Sequence, residues 1–243
     1  MALPKFRKKY EADFVIVNGE NAAHGRGITE NSLKEILEAG ADAITTGDHA
    51  FEQKGSLEIF SNGKIPVLRP ANFPEDNPGK GWMIFKVRTK KVLVINLLGR
   101  DFIKYRVEDP FRLVKKIIEE NGEGIKAIIV DWHAETTSEK KAMALYLDGD
   151  VSAVLGTHTH VPTADERILP KGTAYISDVG MVGPYDSIIG AKKDEILKKF
   201  LKQLPCVLEP AEGPVEVNGV FLEIDDKTGL GKKIERIREI VEI

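Results

Sequence analysis

The chain has 243 residues, of which 42% are hydrophobic and 30% charged, and its formal net charge is −3. This composition is ordinary for a soluble globular protein, and the charge gives no electrostatic reason to expect a nucleic-acid or anionic-membrane partner. The single cysteine, Cys206, excludes an internal disulfide, and no apolar run approaches the roughly 18 residues needed to span a bilayer. We therefore expect a cytoplasmic protein with no membrane partner.

In the first third of the chain, apolar runs and turn residues predict strands that alternate with a helix. Residues 14–17 form an apolar run that predicts a strand. Residues 29–39 predict a helix, because Thr29 can cap its start, Leu33, Ile36 and Leu37 share one face, and Gly40 stops it. Further strands are predicted at residues 42–46 and 66–68.

The remaining two thirds combine hairpins with helix–strand units. Residues 82–87 and 91–97 flank a short polar turn and predict a hairpin. Helices are predicted at residues 110–120, 138–147 and 192–203, and strands at 126–131, 151–155, 173–177, 215–224 and 233–237. This mixture predicts an α/β fold with both parallel and antiparallel pairing. No repeat or linker divides the chain, so one domain over residues 1–243 is expected.

Four of the apolar strands are followed at once by polar motifs that carry metal-ligating residue types. In open α/β sheets, ligands bind outside the carboxyl ends of the strands, so these motifs are expected to meet in one crevice. Carboxylate, amide and imidazole groups together suit first-row transition metals better than Ca²⁺ or Mg²⁺. The candidates exceed what one tetrahedral ion needs, which favours two ions bridged by a carboxylate. They are Glu20, Asn21, Asp48, His49, His133, His158 and His160.

Each candidate also has an ordinary structural interpretation. A single histidine is more often a hydrogen-bonded core or surface residue than a ligand. His24 fits that interpretation best, as a loop residue. Glu20 and Asp48 could cap helices or form turns, and Asp131 could simply close its strand. The fourfold repetition of a strand followed by a ligand argues against coincidence. The spacing of His158 and His160 predicts that both point into one pocket, since residues i and i+2 of an extended chain share a face.

Six motifs together resemble the YmdB-like family of calcineurin-like metallophosphoesterases. They are Asn-Gly-Glu-Asn-Ala-Ala-His-Gly at 18–25, Gly-Asp-His at 47–49, Arg-Pro-Ala-Asn-Phe-Pro at 69–74, Asp-Trp-His-Ala-Glu at 131–135, Gly-Thr-His-Thr-His at 156–160 and Asp-Val-Gly-Met-Val-Gly-Pro-Tyr-Asp at 178–186. The resemblance implies a four-layer α/β/β/α sandwich with mixed sheets. It also implies a metal-dependent phosphodiesterase that uses a metal-activated hydroxide, with 2′,3′-cyclic nucleotides as a substrate class.

The resemblance assigns a role to each candidate residue. Glu20 bridges two divalent or trivalent ions, iron or manganese before zinc. Asn21 and His160 serve the first ion, while Asp48, His133 and His158 serve the second. His49 is the general acid that protonates the leaving oxygen. Four further residues have two interpretations, as part of the substrate pocket or as turn-forming residues around nearby prolines. They are Arg69, Asn72, Tyr185 and Asp186. A homo-oligomer is compatible with the sequence.

Two departures from the family pattern raise alternatives. The family has asparagine where this chain has Asp48, and the extra negative charge would reduce the Lewis acidity of the second ion. The family also begins with a strand ending in Gly-Asp, whose aspartate ligates the first ion. We expect this chain to lack that strand, through a misassigned start or a real deletion.

An incomplete first site keeps a regulatory or scaffolding protein with little turnover open as an alternative. A mononuclear zinc hydrolase that uses His133, His158 and His160 is a third possibility.

Overall fold

The computed structural model describes residues 2–205 and 207–242, so Cys206 and the disulfide argument attached to it lie outside the described residues. The helices are α1 (Leu3–Lys9), α2 (Glu30–Glu38), α3 (Ser56–Ser61), α4 (Pro110–Asn121), α5 (Thr137–Tyr146) and α6 (Lys193–Lys202). The strands are β1 (Ile16–Asn18), β2 (Ala43–Thr45), β3 (Val67–Leu68), β4 (Trp82–Val87), β5 (Lys90–Leu98), β6 (Ala127–His133), β7 (Ala153–Thr157), β8 (Arg167–Ile168), β9 (Ala174–Ile176), β10 (Val182–Pro184), β11 (Val215–Ile224) and β12 (Gly231–Val241).

The N-terminal part of the chain builds a small parallel sheet of strand order β1-β2-β3. Helix α2 begins as predicted, because the Thr29 side chain accepts a hydrogen bond from the backbone N–H of Ser32. Leu33 of α2 and Phe60 of α3 pack against Ile44 at the centre of this sheet. The helices therefore cover its outer face.

The middle of the chain builds the largest sheet, of strand order β4-β5-β6-β7-β9-β8. Strands β5, β6, β7 and β9 run parallel, while β4 and β8 pair antiparallel at the two edges. Helices α4 and α5 cover one face, where Val114 and Met143 join a cluster around Leu97 and Trp132. Burial on both faces explains why these strands are continuous apolar runs.

The other face of the large sheet meets the two smaller sheets. A third sheet, β10-β11-β12, is antiparallel throughout. Ile129, Ala153 and Ala174 of the large sheet form a cluster with Ile16 of β1 and Leu222 of β11. The fold therefore has four layers: α4 and α5, the large sheet, the two smaller sheets, and the helices that cover the N-terminal sheet. The expected α/β/β/α class is confirmed.

The structure adds elements that the sequence patterns did not predict. Helix α3 and strands β8 and β10 have six residues or fewer, too few to show a period. Strand β6 continues through His133, beyond its apolar run, because its backbone pairs with β5 on one side and β7 on the other. In the described part of the chain, no helix is both long and apolar enough to cross a membrane.

Candidate metal centre

The polar motifs meet where the carboxyl ends of four strands converge. Glu20 follows β1, and Asp48 follows β2, which pairs with β1 in parallel register. His133 is the last residue of β6, and it lies opposite Thr157, the last residue of β7. His158 follows directly. Parallel pairing within each sheet, and packing of the sheets on each other, therefore bring distant residues to one point.

Three side chains surround His133 Nε2 closely. Glu20 Oε2 lies 3.1 Å from this nitrogen, Asp48 Oδ1 3.3 Å and His158 Nδ1 2.9 Å. One ligating atom from each of the four residues lies within 4.8 Å of the others. His133 and Glu20 are almost fully buried. The arrangement presents two carboxylates and two imidazoles to a common point.

A second, smaller group adjoins the first through Glu20. Asn21 Nδ2 lies 3.0 Å from His160 Nε2 and 3.4 Å from Glu20 Oε1. Rotation of the Asn21 amide by 180° would place Oδ1 beside these two atoms, as a shared cation requires. The structure thus brings all six predicted ligands into two adjoining groups, with Glu20 in both.

The histidine pair reaches these groups in a way that differs from the sequence argument. His158 and His160 lie beyond the end of β7, in backbone with φ of 104° and 67°. They therefore do not share the face of an extended strand, and that part of the interpretation was wrong. Asp178 holds the turn by accepting hydrogen bonds from the backbone N–H and hydroxyl of Thr159. Asp178 is itself paired with the buried ammonium of Lys140 at 2.6 Å.

The residues present fit a bound cation in three respects. Among the described residues, the buried atom Glu20 Oε2 makes no hydrogen bond of regular geometry, although His133 Nε2 lies 3.1 Å away. A buried polar atom without a good partner is costly, so this oxygen calls for a ligand. Gly47 leaves the space that this oxygen faces, because a Cβ there would lie 1.8 Å from Glu20 Oε2 and 2.4 Å from His133 Nε2. The mixed oxygen and nitrogen donors suit a transition metal.

The charges of the centre are strongly coupled. Burial would raise the pKa of Asp48, but hydrogen bonds with His133 and His158 outweigh it and hold that pKa well below its ordinary value. Burial would lower the pKa of His133, but the negative charge of Glu20 and the hydrogen bond with Asp48 raise it to about 10. Without a metal, a proton on His133 supplies the positive charge that compensates the buried carboxylates of Glu20 and Asp48.

His49 lies at the edge of the centre and is partly exposed. Its Nδ1 is 3.0 Å from Glu52 Oε2 and 4.0 Å from Asp48 Oδ2. Burial would raise the pKa of Glu52, but its pairing with Lys104 and with His49 lowers it. An ionised Glu52 therefore lies against Nδ1 of His49, as an ion-pair contact without regular hydrogen-bond geometry, and leaves Nε2 free. Sequence reasoning did not identify Glu52, although its position three residues after His49 in one turn was an available signal.

Two of the open pocket candidates have structural roles. The buried guanidinium of Arg69 donates to backbone carbonyls of its own loop, among them Pro70 and Asn77. The amide of Asn72 donates to the carbonyls of Leu98 and Glu108 and accepts from the Leu98 N–H. Arg69 therefore holds its own loop, and Asn72 ties that loop to β5 and to the segment before α4.

The other peripheral candidates lie on the surface. His24 is exposed in a loop with φ of 54°. Asp186 pairs with Lys193, and Tyr185 is about half exposed. Glu135, which the sequence analysis did not single out, lies 2.9 Å from His158 Nε2 through its Oε2. Its carboxylate orients the ring whose Nδ1 faces His133.

Comparison with known proteins gives consistent matches over nearly the whole chain. The family model described as YmdB-like protein matches residues 1–237. A 2′,3′-cyclic-nucleotide 2′-phosphodiesterase of Bacillus subtilis (strain 168) is 49% identical over 236 residues, which cover 97% of this chain and 88% of the relative.

Two solved structures are similar in both sequence and fold. A novel phosphatase from Mycoplasma pneumoniae is 40% identical with a TM-score of 0.91, over 99% of this chain and 86% of that one. A hypothetical protein from Thermus thermophilus is 40% identical with a TM-score of 0.90, over 98% of this chain and 91% of that one.

Proposed function

The chain belongs to the YmdB-like family and is a phosphodiesterase with a metallophosphoesterase fold, and on that premise we propose that it opens 2′,3′-cyclic nucleotides. The observation that carries the proposal is the convergence of Glu20, Asp48, His133 and His158 on one point at the strand ends. The Bacillus subtilis relative, named for that substrate class and for the 2′ bond, supports the choice of substrate.

We propose that the centre holds two transition-metal ions, iron or manganese before zinc. Asp48, His133 and His158 would hold one ion, Asn21 and His160 the other, and Glu20 would bridge them. Such ions, when bound, lower the pKa of a coordinated water and neutralise charge on the phosphoryl oxygens. The four converging ligand atoms of Glu20, Asp48, His133 and His158, and the buried Glu20 Oε2 without a regular hydrogen bond, support this assignment.

The protein's own contribution to the reaction is a positioned proton donor. Water adds to phosphorus, the bond from phosphorus to O2′ breaks, and a proton goes to O2′, so that a 3′-phosphate remains. His49 would supply this proton from Nε2, because Glu52 Oε2 occupies the Nδ1 side of the ring at 3.0 Å. A positioned acid of this kind typically contributes about 10²–10⁴-fold to the rate.

The test is hydrolysis of 2′,3′-cyclic AMP by the full chain loaded with Mn²⁺ or Fe²⁺. Chromatography should show 3′-AMP in excess over 2′-AMP, and 3′,5′-cyclic AMP serves as the control for cyclic phosphates in general. Protein that holds two ions per chain and leaves 2′,3′-cyclic AMP intact would refute the substrate. Low occupancy together with no turnover would instead favour the regulatory alternative.

Three broader assignments complete the proposal. Residues 1–243 would form a single domain, and the protein would work in the cytoplasm. A homo-oligomer is supported by the large apolar side chains that α6 exposes, among them Phe200 at 73% and Leu201 at 81%, since monomers seldom expose contiguous apolar patches. Light scattering coupled to gel filtration tests the oligomer, and a monomer across the micromolar range would exclude it.

A further inference from the structure

A buried series of hydrogen bonds links Asp131, Thr157 and His133 on the side of His133 that faces away from the centre. The hydroxyl of Thr157 donates to Asp131 Oδ1 at 2.7 Å, and the same hydroxyl oxygen lies 2.9 Å from His133 Nδ1. Asp131 also accepts from the hydroxyl of Thr45 and from Asn18 Nδ2 at 3.1 Å. Both Asp131 and Thr157 are buried. Burial raises the pKa of Asp131, whereas the charge of His133 and the three donors lower it. Because all three groups donate to this carboxylate, it acts here as an acceptor.

The number of protons available to these hydrogen bonds determines which group donates and which accepts in each. A hydroxyl carries a single proton, and Thr157 uses it towards Asp131. Its oxygen can then only accept a hydrogen bond from His133, so Nδ1 of that ring must carry a proton. In the neutral ring, the lone pair needed for a metal is then on Nε2, the atom that faces Glu20, Asp48 and His158. The opposite tautomer would place two acceptors against each other at 2.9 Å.

We propose that Thr157 is a positioning residue that, anchored by Asp131, fixes the tautomer and ring orientation of His133 towards the metal. The inference rests on the proposed function, because it assumes that His133 Nε2 is a ligand. Hydrogen bonds to the second nitrogen of a ligating histidine commonly do this, and their loss typically weakens metal binding by about 10–100-fold. Pairing of His133 with Thr157 across β6 and β7 sets the geometry, so the sheet itself positions the ligand.

The experiment is calorimetric titration of the metal-free full chain with Mn²⁺. Thr157→Val keeps the shape of the side chain and removes the hydroxyl, and it should weaken binding by about 10–100-fold. Thr157→Ser restores the hydroxyl and should recover most of the affinity. Thr173→Val is the matched control, since Thr173 is also buried but its hydroxyl bonds to the carbonyls of Leu147 and Val151, away from the centre. It should bind like wild type.

A second measurement reads the tautomer of His133 directly in the wild-type protein. In zinc-loaded protein labelled with ¹⁵N-histidine, the His133 ring, assigned with a His133→Gln variant, should carry its proton on Nδ1. A proton on Nε2, or Thr157→Val that binds Mn²⁺ like wild type, would overturn the inference. Equal weakening in the valine and serine variants would also overturn it, because the hydroxyl would then not be the cause. Wild-type protein that binds no metal would instead overturn the proposed function on which the inference rests.

Discussion

Replacing Gly47 by alanine should disable the metal centre while it leaves the fold in place. The added methyl would lie 1.8 Å from Glu20 Oε2 and 2.4 Å from His133 Nε2, whereas ordinary contacts begin at 3.4 Å. The carboxylate oxygen must therefore retreat by about 1.6 Å and the imidazole nitrogen by about 1.0 Å. Both atoms belong to the four that converge on the candidate ion.

The magnitude follows from these displacements. Forcing a methyl group into a packed site typically costs about 1–3 kcal/mol of stability, which a domain of this size survives. A misplacement of about 1 Å in a reacting site can cost about 100-fold in rate. We therefore expect Gly47→Ala to remain folded, to bind Mn²⁺ more weakly, and to hydrolyse 2′,3′-cyclic AMP about 100-fold more slowly or worse.

The assay compares Gly47→Ala with Gly63→Ala. Gly63 has no atom within 4 Å of an added Cβ and needs no left-handed backbone, so the same chemical change is made where there is room for it. The control should match wild type within about twofold, as surface substitutions usually do. Circular dichroism, metal content and initial rate are measured on both proteins. Full metal content and rate in Gly47→Ala would refute the close approach of Glu20 and His133 to this position.

Three further predictions concern charge. Lys140→Met leaves Asp178 buried without its ionic partner, so the free energy of unfolding measured in urea should fall by about 3–5 kcal/mol. Adding Asp178→Asn should restore part of that stability. A fall below about 1 kcal/mol would contradict a stabilising role of the pair. Because the Glu20 charge overcomes burial and raises the His133 pKa to about 10, metal must displace a proton below that pH. Apparent Mn²⁺ affinity should therefore rise from about pH 6 to about pH 9 with proton release, and a flat calorimetric profile would contradict this. His49→Asn should slow turnover without removing metal, and metal loss would mean that the proton-donor assignment is wrong.

Most strands and helices could be predicted from the sequence because their signals are local. The run at 215–224 matches β11, and Thr29 caps α2 as its position predicts. The same locality explains the errors. An i, i+2 spacing says nothing about whether the strand has already ended, and His158 and His160 lie beyond the end of β7 in left-handed backbone. Nor could spacing show that Arg69 and Asn72 use their hydrogen bonds on backbone carbonyls.

The sequence by itself determined which residue types follow each apolar strand, and hence that carboxylate, amide and imidazole groups would gather at one edge of the sheets. Strand propensity and polar strand ends depend only on residues that are neighbours in the sequence. Only the tertiary structure decided which groups face each other. The contact of Asp131 with Thr157, the contact of Thr157 with His133, and the burial of Lys140 against Asp178 depend on which strands become neighbours and which helix covers them. These partners are 24 to 38 residues apart, so a local sequence pattern cannot predict that they are in contact.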